Sequence, residues 1–462
     1  MSAGRVAVRA IGVIFVVIIV LAGAFAWSLG RVDKLPPDPA KPVGARALLT
    51  AAIAAGTPDA EQVRRGQYLV RVGDCLSCHI TDGGEPFAGG LGLNTPFGVV
   101  YSANITADRK TGIGDWTPDQ FYRAMHEGVG IHGEHLYPAF PYPWFTRVSR
   151  QDSDAILAFL KTVPAVDRAP PANRMAFPVN IRASVAGWNL LFLHKGEFKP
   201  DSAQSPEWNR GAEIVNGLGH CGACHTPKNM LGAEKSRDAF NGAVLNDYVA
   251  PDLTENQRTG LGSWTVDEIA EYLRAGRNAH SNAGGLMSDV ISYSTSLMTD
   301  DDRHAVAVYL KSIATSSASR ASAPDAVAMK RGEQIYTDAC SACHLAEGKG
   351  QPGFFPPLAK DAVAQQSDPT GFVHFVLGGS RSGPAPTRTS ALTMPSFAWK
   401  LSDQEIADVA TYVRNSWGNQ ATAVDSGTVR KLREKLNMQT AHRTDMPRGD
   451  ASQGEKSQAS TD

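Results

Sequence analysis

All six cysteines of this 462-residue chain fall in three copies of one pattern: Cys75-Leu-Ser-Cys78-His79, Cys221-Gly-Ala-Cys224-His225 and Cys340-Ser-Ala-Cys343-His344. Two thiols at this spacing can each form a thioether to a vinyl group of haem, and the histidine that follows can ligate the iron from one face. The pattern therefore predicts three covalent c-type haems attached at Cys75, Cys78, Cys221, Cys224, Cys340 and Cys343, with His79, His225 and His344 as axial ligands. Zinc would need two such pairs brought to one site, and these stand apart in the chain. A dithiol redox centre would occur once, at a helix start in a βαβ context, and needs no histidine after it.

The elements around the motifs repeat as well. Each unit opens with Arg-Gly, at Arg65-Gly66, Arg210-Gly211 and Arg331-Gly332, a short way before its first cysteine. Each closes with an amphipathic helix whose apolar residues follow i, i+3, i+4 spacing. These are Ile156, Phe159, Leu160 and Val163, then Val306, Tyr309, Leu310 and Ile313, then Val409, Tyr412 and Val413. Ser402 with Glu405 predicts a capping box on the last helix, and Asp300-Asp-Asp302 reads as helix-start charge. An opening and a closing helix that clasp a haem form the cytochrome c arrangement. Units one and two share more: Asn104-Ile-Thr106 with Thr111-Gly-Ile-Gly-Asp-Trp-Thr117 matches Asp252-Leu-Thr254 with Thr259-Gly-Leu-Gly-Ser-Trp-Thr265. Trp116 and Trp264 are candidates for a hydrogen bond to a haem propionate, or for plain core residues.

The chain ends carry targeting information. Arg5 and Arg9 precede an uncharged apolar stretch from Ala10 to Leu29, and Arg31 follows it. Residues 1–30 thus read as a retained membrane anchor, or as a signal segment cleaved after Ala24 or Ala26. The positive flank places the amino terminus in the cytoplasm and the haem domains in the periplasm, at the plasma membrane. Residues 31–60 form a linker with a stiff proline-rich spacer over 34–42, and 439–462 read as a disordered tail. A formal net charge of −1 with no basic run gives nucleic acid no electrostatic footprint. Gly89-Gly-Leu-Gly92 lacks the strand-to-helix context of a dinucleotide loop, and no nucleophile triad or phosphate loop is present.

Over residues 61 to 418 the chain resembles the three-haem cytochrome c subunits of membrane-bound bacterial dehydrogenases acting on alcohols, gluconate, sorbitol and aldehydes. The resemblance rests on the motifs above and on Leu136-Tyr-Pro-Ala-Phe-Pro-Tyr142, Pro178-Val-Asn-Ile-Arg-Ala-Ser-Val-Ala-Gly-Trp188 and Met394-Pro-Ser-Phe-Ala-Trp-Lys-Leu-Ser402. It implies a mainly α fold of three consecutive cytochrome c domains, here 61–195, 205–315 and 327–418, behind an N-terminal membrane segment. It also implies electron transfer from a catalytic dehydrogenase subunit, of PQQ, flavin or molybdenum type, to ubiquinone.

Methionine sulfur opposite the histidine suits an electron carrier, because it raises the potential. Met394, followed by Pro395, is the candidate in the third unit. Met287 matches the family position in the second, with Met298 as runner-up. In the first unit the family's Tyr-Pro-Ala-Met-Pro-Tyr becomes Tyr137-Pro-Ala-Phe-Pro-Tyr142, so Phe140, which cannot bind iron, stands where the ligand would be. A similar Ala-Phe-Pro-Tyr occurs in a branch paired with molybdenum-containing hydroxylases of aldehydes or heteroaromatic compounds. The first iron is then five-coordinate or water-bound, or is ligated by Met125, His126, His132, His135 or Met175. Met175, Met230 and Met298 are otherwise surface or gap-filling residues. Two other functions fit the same residues: a peroxidase-like enzyme at an open first iron, with a histidine as distal acid or base, and a docking subunit with a structural first haem.

Overall fold

The computed structural model describes residues 3–32, 45–81, 83–245, 247–315, 324–381 and 393–444. The chain is mainly helical. Helix α1 (Ala3–Leu29) is 27 residues long. Its side chains are described from Phe15 onward, where Phe15 to Leu21 and Trp27 are exposed. Among the described residues no helix is long and apolar enough to cross a membrane. The proline-rich spacer lies outside the described residues. The rest of the expected linker departs from expectation: α2 (Arg46–Thr50) buries Leu49 completely, and Gln67 Nε2 donates to the carbonyls of Leu48 and Ala51. Its apolar pair Leu48-Leu49 gives this short turn a side to bury, so order begins well before residue 61.

The first unit runs through α3 (Ala60–Val72), α4 (Cys75–Cys78), β1 (Gly92–Thr95), β2 (Gly98–Tyr101), α5 (Pro118–Glu127), α6 (Tyr142–Phe145), α7 (Arg150–Leu160), β3 (Arg174–Met175) and α8 (Ser184–Phe192). Its strands form a small antiparallel sheet in the order β1-β2-β3, with Leu93 opposite Val100 and Val99 opposite Arg174. The second unit comprises α9 (Pro206–Asn216), α10 (Cys221–His225), the hairpin β4 (Ala243–Leu245) and β5 (Tyr248–Ala250), α11 (Val266–Ala275), α12 (Leu286–Tyr293) and α13 (Asp300–Lys311). The third holds α14 (Ala326–Ala339), α15 (Ser341–His344), α16 (Thr370–Gly378), the pair β6 (Ser380–Arg381) and β7 (Thr393–Met394), α17 (Asp403–Val413) and α18 (Ser426–Thr444).

In each unit the opening helix crosses the closing helix at its glycine. A Cβ on Gly66 would lie 1.8 Å from the Ala155 carbonyl oxygen, on Gly211 2.0 Å from that of Ala305, and on Gly332 2.2 Å from that of Asp408. Only glycine lets the backbones approach this closely. The preceding arginine then reaches a buried acid on the closing helix. Arg65 Nε donates to Asp152 at 2.5 Å, Arg210 binds Asp302 through two bonds of 2.8 Å, and Arg331 binds Asp408 at 2.6 and 3.0 Å. Asp302 is therefore more than helix-start charge. It also accepts the Tyr68 hydroxyl of the first unit at 2.5 Å, tying the two units together. Burial pushes its carboxyl up, and the bonds from Arg210 and Tyr68 more than offset this, holding it below the usual range.

The closing helices bury Ile156, Phe159, Leu160 and Val163, then Val306 and Leu310, then Val409 and Val413. Tyr309, Ile313 and Tyr412 are packed against them half-buried. Ser402 and Glu405 form the expected capping box, and Thr117 and Thr265 cap α5 and α11 in the same way. The first two units share one hydrophobic core, whereas the third has its own. Helix α18 adds Val429 and Leu432 to that third core, so the ordered chain continues past 418 and through the first residues of the expected tail. Residues 445–462 lie outside the described residues.

Two outcomes follow from this packing. Gly211→Ala forces a methyl group into the Ala305 carbonyl and is expected to lower the stability of the holoprotein by about 3 kcal/mol in denaturant melts. Because the folded pKa of Asp302 is depressed, its contribution is present above about pH 4 and lost as pH falls through its folded value. Asp302→Asn is expected to flatten the stability-pH profile below about pH 4, measured by melts across that range.

Candidate functional site

Each Cys-x-x-Cys-His segment forms a short helical turn at the end of an opening helix: α4, α10 and the turn capped by Cys340. All six cysteines are unbridged. Burial pushes the Cys75 and Cys221 thiols up to about 12 and that of Cys340 to about 11. A redox dithiol needs the opposite shift, so these thiols are not tuned for disulfide exchange. Among the described residues no cluster of three or more His, Cys, Asp or Glu side chains is placed to hold a bare metal ion.

The three histidines share one geometry. His79 Nδ1 lies 2.7 Å from the Ala103 carbonyl oxygen, His225 Nδ1 2.7 Å from that of Pro251, and His344 Nδ1 3.0 Å from that of Pro356. A carbonyl can only accept, so Nδ1 carries the proton and Nε2 keeps its lone pair for a metal. Burial lowers the pKa of all three imidazoles, with the carbonyl contact acting in the opposite sense, and a neutral ring is the ligating form. Two thiols and one oriented imidazole per turn fit the covalent haem that the motif predicts.

Sequence reasoning missed the carbonyl acceptors, although two of them had a signal. Ala103 and Pro251 immediately precede the Asn-Ile-Thr and Asp-Leu-Thr of the matching loops. Those loops pin the acceptors in place. Asn104 Oδ1 accepts from Thr106 N at 2.9 Å, and Asp252 Oδ1 accepts from Thr254 N at 2.8 Å. Asn104 Nδ2 donates to Thr111 Oγ1 at 3.0 Å, and Thr259 Oγ1 donates to Asp252 Oδ2 at 2.9 Å. Trp264 is buried in the shared core, stacked on His280 with centroids 4.9 Å apart, while Trp116 is half-buried against the same core.

Of the candidate methionine ligands, Met394 sits in β7 and Met287 at the start of α12, both half-buried against a core. Met298, the runner-up, is itself a buried core residue, and Met230 is fully on the surface. Phe140 and Met287 hold equivalent places. Each follows at the same distance a loop closed by a one-residue bridge, Val129 with His135 and Arg277 with Asn282. Phe140 packs on Phe145 with centroids 5.4 Å apart. Of the alternative ligands for the first unit, Met125 is a core residue of α5 and His132 is exposed. Met175 lies in β3, paired with Gly98. His126 Nε2 and His135 Nδ1 are buried without a hydrogen-bond partner among the described residues. The His126 ring stacks on Tyr122 at 3.8 Å, and burial lowers its pKa.

The first two sites are in contact. The Phe145 ring lies 5.5 Å from that of His220, which precedes Cys221, and a Cβ on Gly222 would lie 2.3 Å from the Trp144 ring. Trp144 Nε1 donates to Glu234 at 2.8 Å, and α12, which carries Met287, packs on α4. Against the third unit, ring packing and polar bonds combine: the Tyr248 ring of β5 lies 4.2 Å from that of His374 on α16, and a Cβ on Gly371 would lie 2.7 Å from Val249. Gln366 Nε2 donates to the Thr259 carbonyl at 2.8 Å, Arg277 to that of Gly353 at 2.6 Å, and Lys435 pairs with Asp247 at 2.5 Å.

Residues 329–417 match the Cytochrome c family. The chain is 40% identical over 394 residues to the gluconate 2-dehydrogenase cytochrome c subunit of Pantoea cypripedii, covering 80% of this chain and 89% of that one. It is 37% identical over 414 residues to the cytochrome c subunit of the quinone alcohol dehydrogenase of Gluconobacter oxydans, covering 85% and 86%. It is 38% identical over 409 residues to a subunit of the nicotinate dehydrogenase of Pseudomonas putida, covering 86% of this chain and 33% of that protein.

Proposed function

Because the chain belongs to the family of dehydrogenase cytochrome c subunits represented by these relatives, we propose that it is the electron-transfer subunit of a periplasmic dehydrogenase complex at the plasma membrane. It takes electrons from a catalytic subunit that oxidises an alcohol, sugar acid or aldehyde and delivers them to ubiquinone. Three cytochrome c domains, the third extended by α18, each carry one covalent haem c. The observation that supports this most is the threefold recurrence of one arrangement: a Cys-x-x-Cys turn, a histidine whose Nδ1 is held by a carbonyl, and a helix pair closed on a glycine.

When bound, the haem irons supply one-electron chemistry. The chain's own residues fix their surroundings. His79, His225 and His344 present Nε2 in a set orientation and would hold the irons, Met287 and Met394 would supply thioether ligands to the second and third, and Phe140 offers the first only a ring. The first site therefore differs from the other two in its distal ligand. No side chain need serve as acid, base or nucleophile.

A retained anchor is supported by the sequence: the uncharged stretch from Ala10 to Leu29, at about 1.5 Å per helical residue, would cover about 30 Å, roughly the thickness of a bilayer core. With Arg5 and Arg9 on the cytoplasmic side, this stretch holds the haem domains in the periplasm. The catalytic partner carries PQQ, flavin or molybdenum. Similarity to the nicotinate dehydrogenase of Pseudomonas putida, together with the Ala-Phe-Pro-Tyr sequence, favours the branch that pairs with hydroxylases of aldehydes or heteroaromatic compounds.

Mass spectrometry of the purified subunit is expected to show the added mass of three haems; a smaller addition overturns the three-haem assignment. In the copurified complex, substrate is expected to reduce these haems and a ubiquinone analogue to reoxidise them; haems that stay oxidised with substrate overturn the carrier role. Phe140→Met, a near volume-conserving change, is expected to raise the number of methionine-ligated irons from two to three in near-infrared magnetic circular dichroism. Met287→Ala and Met394→Ala should each remove one.

A further inference from the structure

Apolar side chains cluster on one exposed face of the first two units. Helix α8 (Ser184-Val-Ala-Gly-Trp-Asn-Leu-Leu-Phe192) carries no charge, and it leaves Leu190 87% and Leu191 63% exposed. Beside it, the turn of the second unit that carries Met230 and Leu231 leaves these residues 95% and 54% exposed. The two segments are joined: Trp188 Nε1 of α8 donates to the Leu231 carbonyl at 3.0 Å. Single exposed apolar residues are ordinary, whereas a contiguous uncharged set marks a surface that is covered in use.

The occupant is indicated by what adjoins this face. A Cβ on Gly232, the residue after Leu231, would lie 3.0 Å from the Phe97 ring, and Phe97 in turn packs on Phe25 of α1 with centroids 6.3 Å apart. Ser28 of α1 accepts a hydrogen bond from the Phe177 amide at 2.7 Å, shortly before α8 begins. The face is thus continuous with the last turns of α1. Those turns hold Trp27, 63% exposed, with the Arg31 guanidinium 3.6 Å over its ring, a pairing suited to the level of lipid headgroups.

We infer that α8 and the Met230–Leu231 turn form a second membrane-contact surface, lying in the headgroup and upper acyl region of the bilayer beside the exit of α1. This rests on the proposal that α1 is a retained anchor. An uncharged helix face with a tryptophan and bulky leucines lies at such an interface without spanning the membrane. The surface fixes the orientation of the first two units against the lipid, so they cannot swing freely on α1.

Photolabelling of the full-length subunit tests this, in nanodiscs of phosphatidylethanolamine and phosphatidylglycerol that contain a diazirine phospholipid. After digestion, label is expected in peptides of α1, of Ser184–Phe192 and of Met230–Leu231. Leu190→Glu with Leu191→Glu is expected to lose the α8 label while α1 labelling and the haem spectrum persist. Label confined to α1 overturns the surface, as does α8 label that disappears when the catalytic subunit is bound, because a protein then covers the face. Label on α8 with none on α1 supports the surface and overturns the anchor. Absence of label from both overturns both.

Discussion

A glycine at the crossing of each opening and closing helix brings one backbone against the other, and the remaining parts of a unit take their positions from that contact. The attachment turn follows directly from the opening helix, so the histidine it presents is placed relative to the closing helix as well. The adjacent arginine adds a charge-assisted bond to a buried acid, and that pair locks the rotation of one helix about the other. Burying such an acid is costly without its partner, which makes the arrangement specific as well as stabilising. In the third unit the acid is the residue whose carbonyl meets the glycine, whereas in the first two it lies one turn earlier. The first two units are therefore closer to each other in helix register as well as in loop sequence.

The two boundaries between units differ in whether the core is shared. Between the first and second the boundary is apolar and aromatic, with the α6 rings against the second attachment turn and one continuous core. A core of that kind is close-packed and transmits little relative motion. Between the second and third, which have separate cores, side-chain amides and guanidinium groups reach backbone carbonyls, and Tyr248 packs on His374 of α16. The first two attachment sites share one core, whereas the third is set against them by buried bonds and a close ring pair.

Much of this was legible in the sequence, because the features that repeat are local. The three motifs, the Arg-Gly dipeptides, the Ser402 cap and the spacing of Ile156, Phe159 and Leu160 all follow from residues within a few turns of one another. What escaped was set by contacts distant in sequence. Leu49 is buried in the shared core, and Gln67 holds the backbone on either side of it. Helix α18 has little amphipathic pattern, yet it docks on the third core through Val429 and Leu432. Asp302 looked like a charge at a helix start, and its partners Tyr68 and Arg210 lie far upstream. Pro356 had no counterpart loop to point to it.

The packing of Trp144 on Gly222 bears on how such chains can be rearranged. The two variable positions inside a Cys-x-x-Cys motif are usually treated as free, since neither touches the iron. Here Leu76, at the first of them, is buried in the shared core, and Gly222 at the same position makes room for a neighbour's indole. Ser341 of the third motif instead bonds back to the Thr337 carbonyl. The three motifs are thus addressed to different surroundings, and a gene assembled by duplicating and shuffling these units would have to move each with its neighbour's surface.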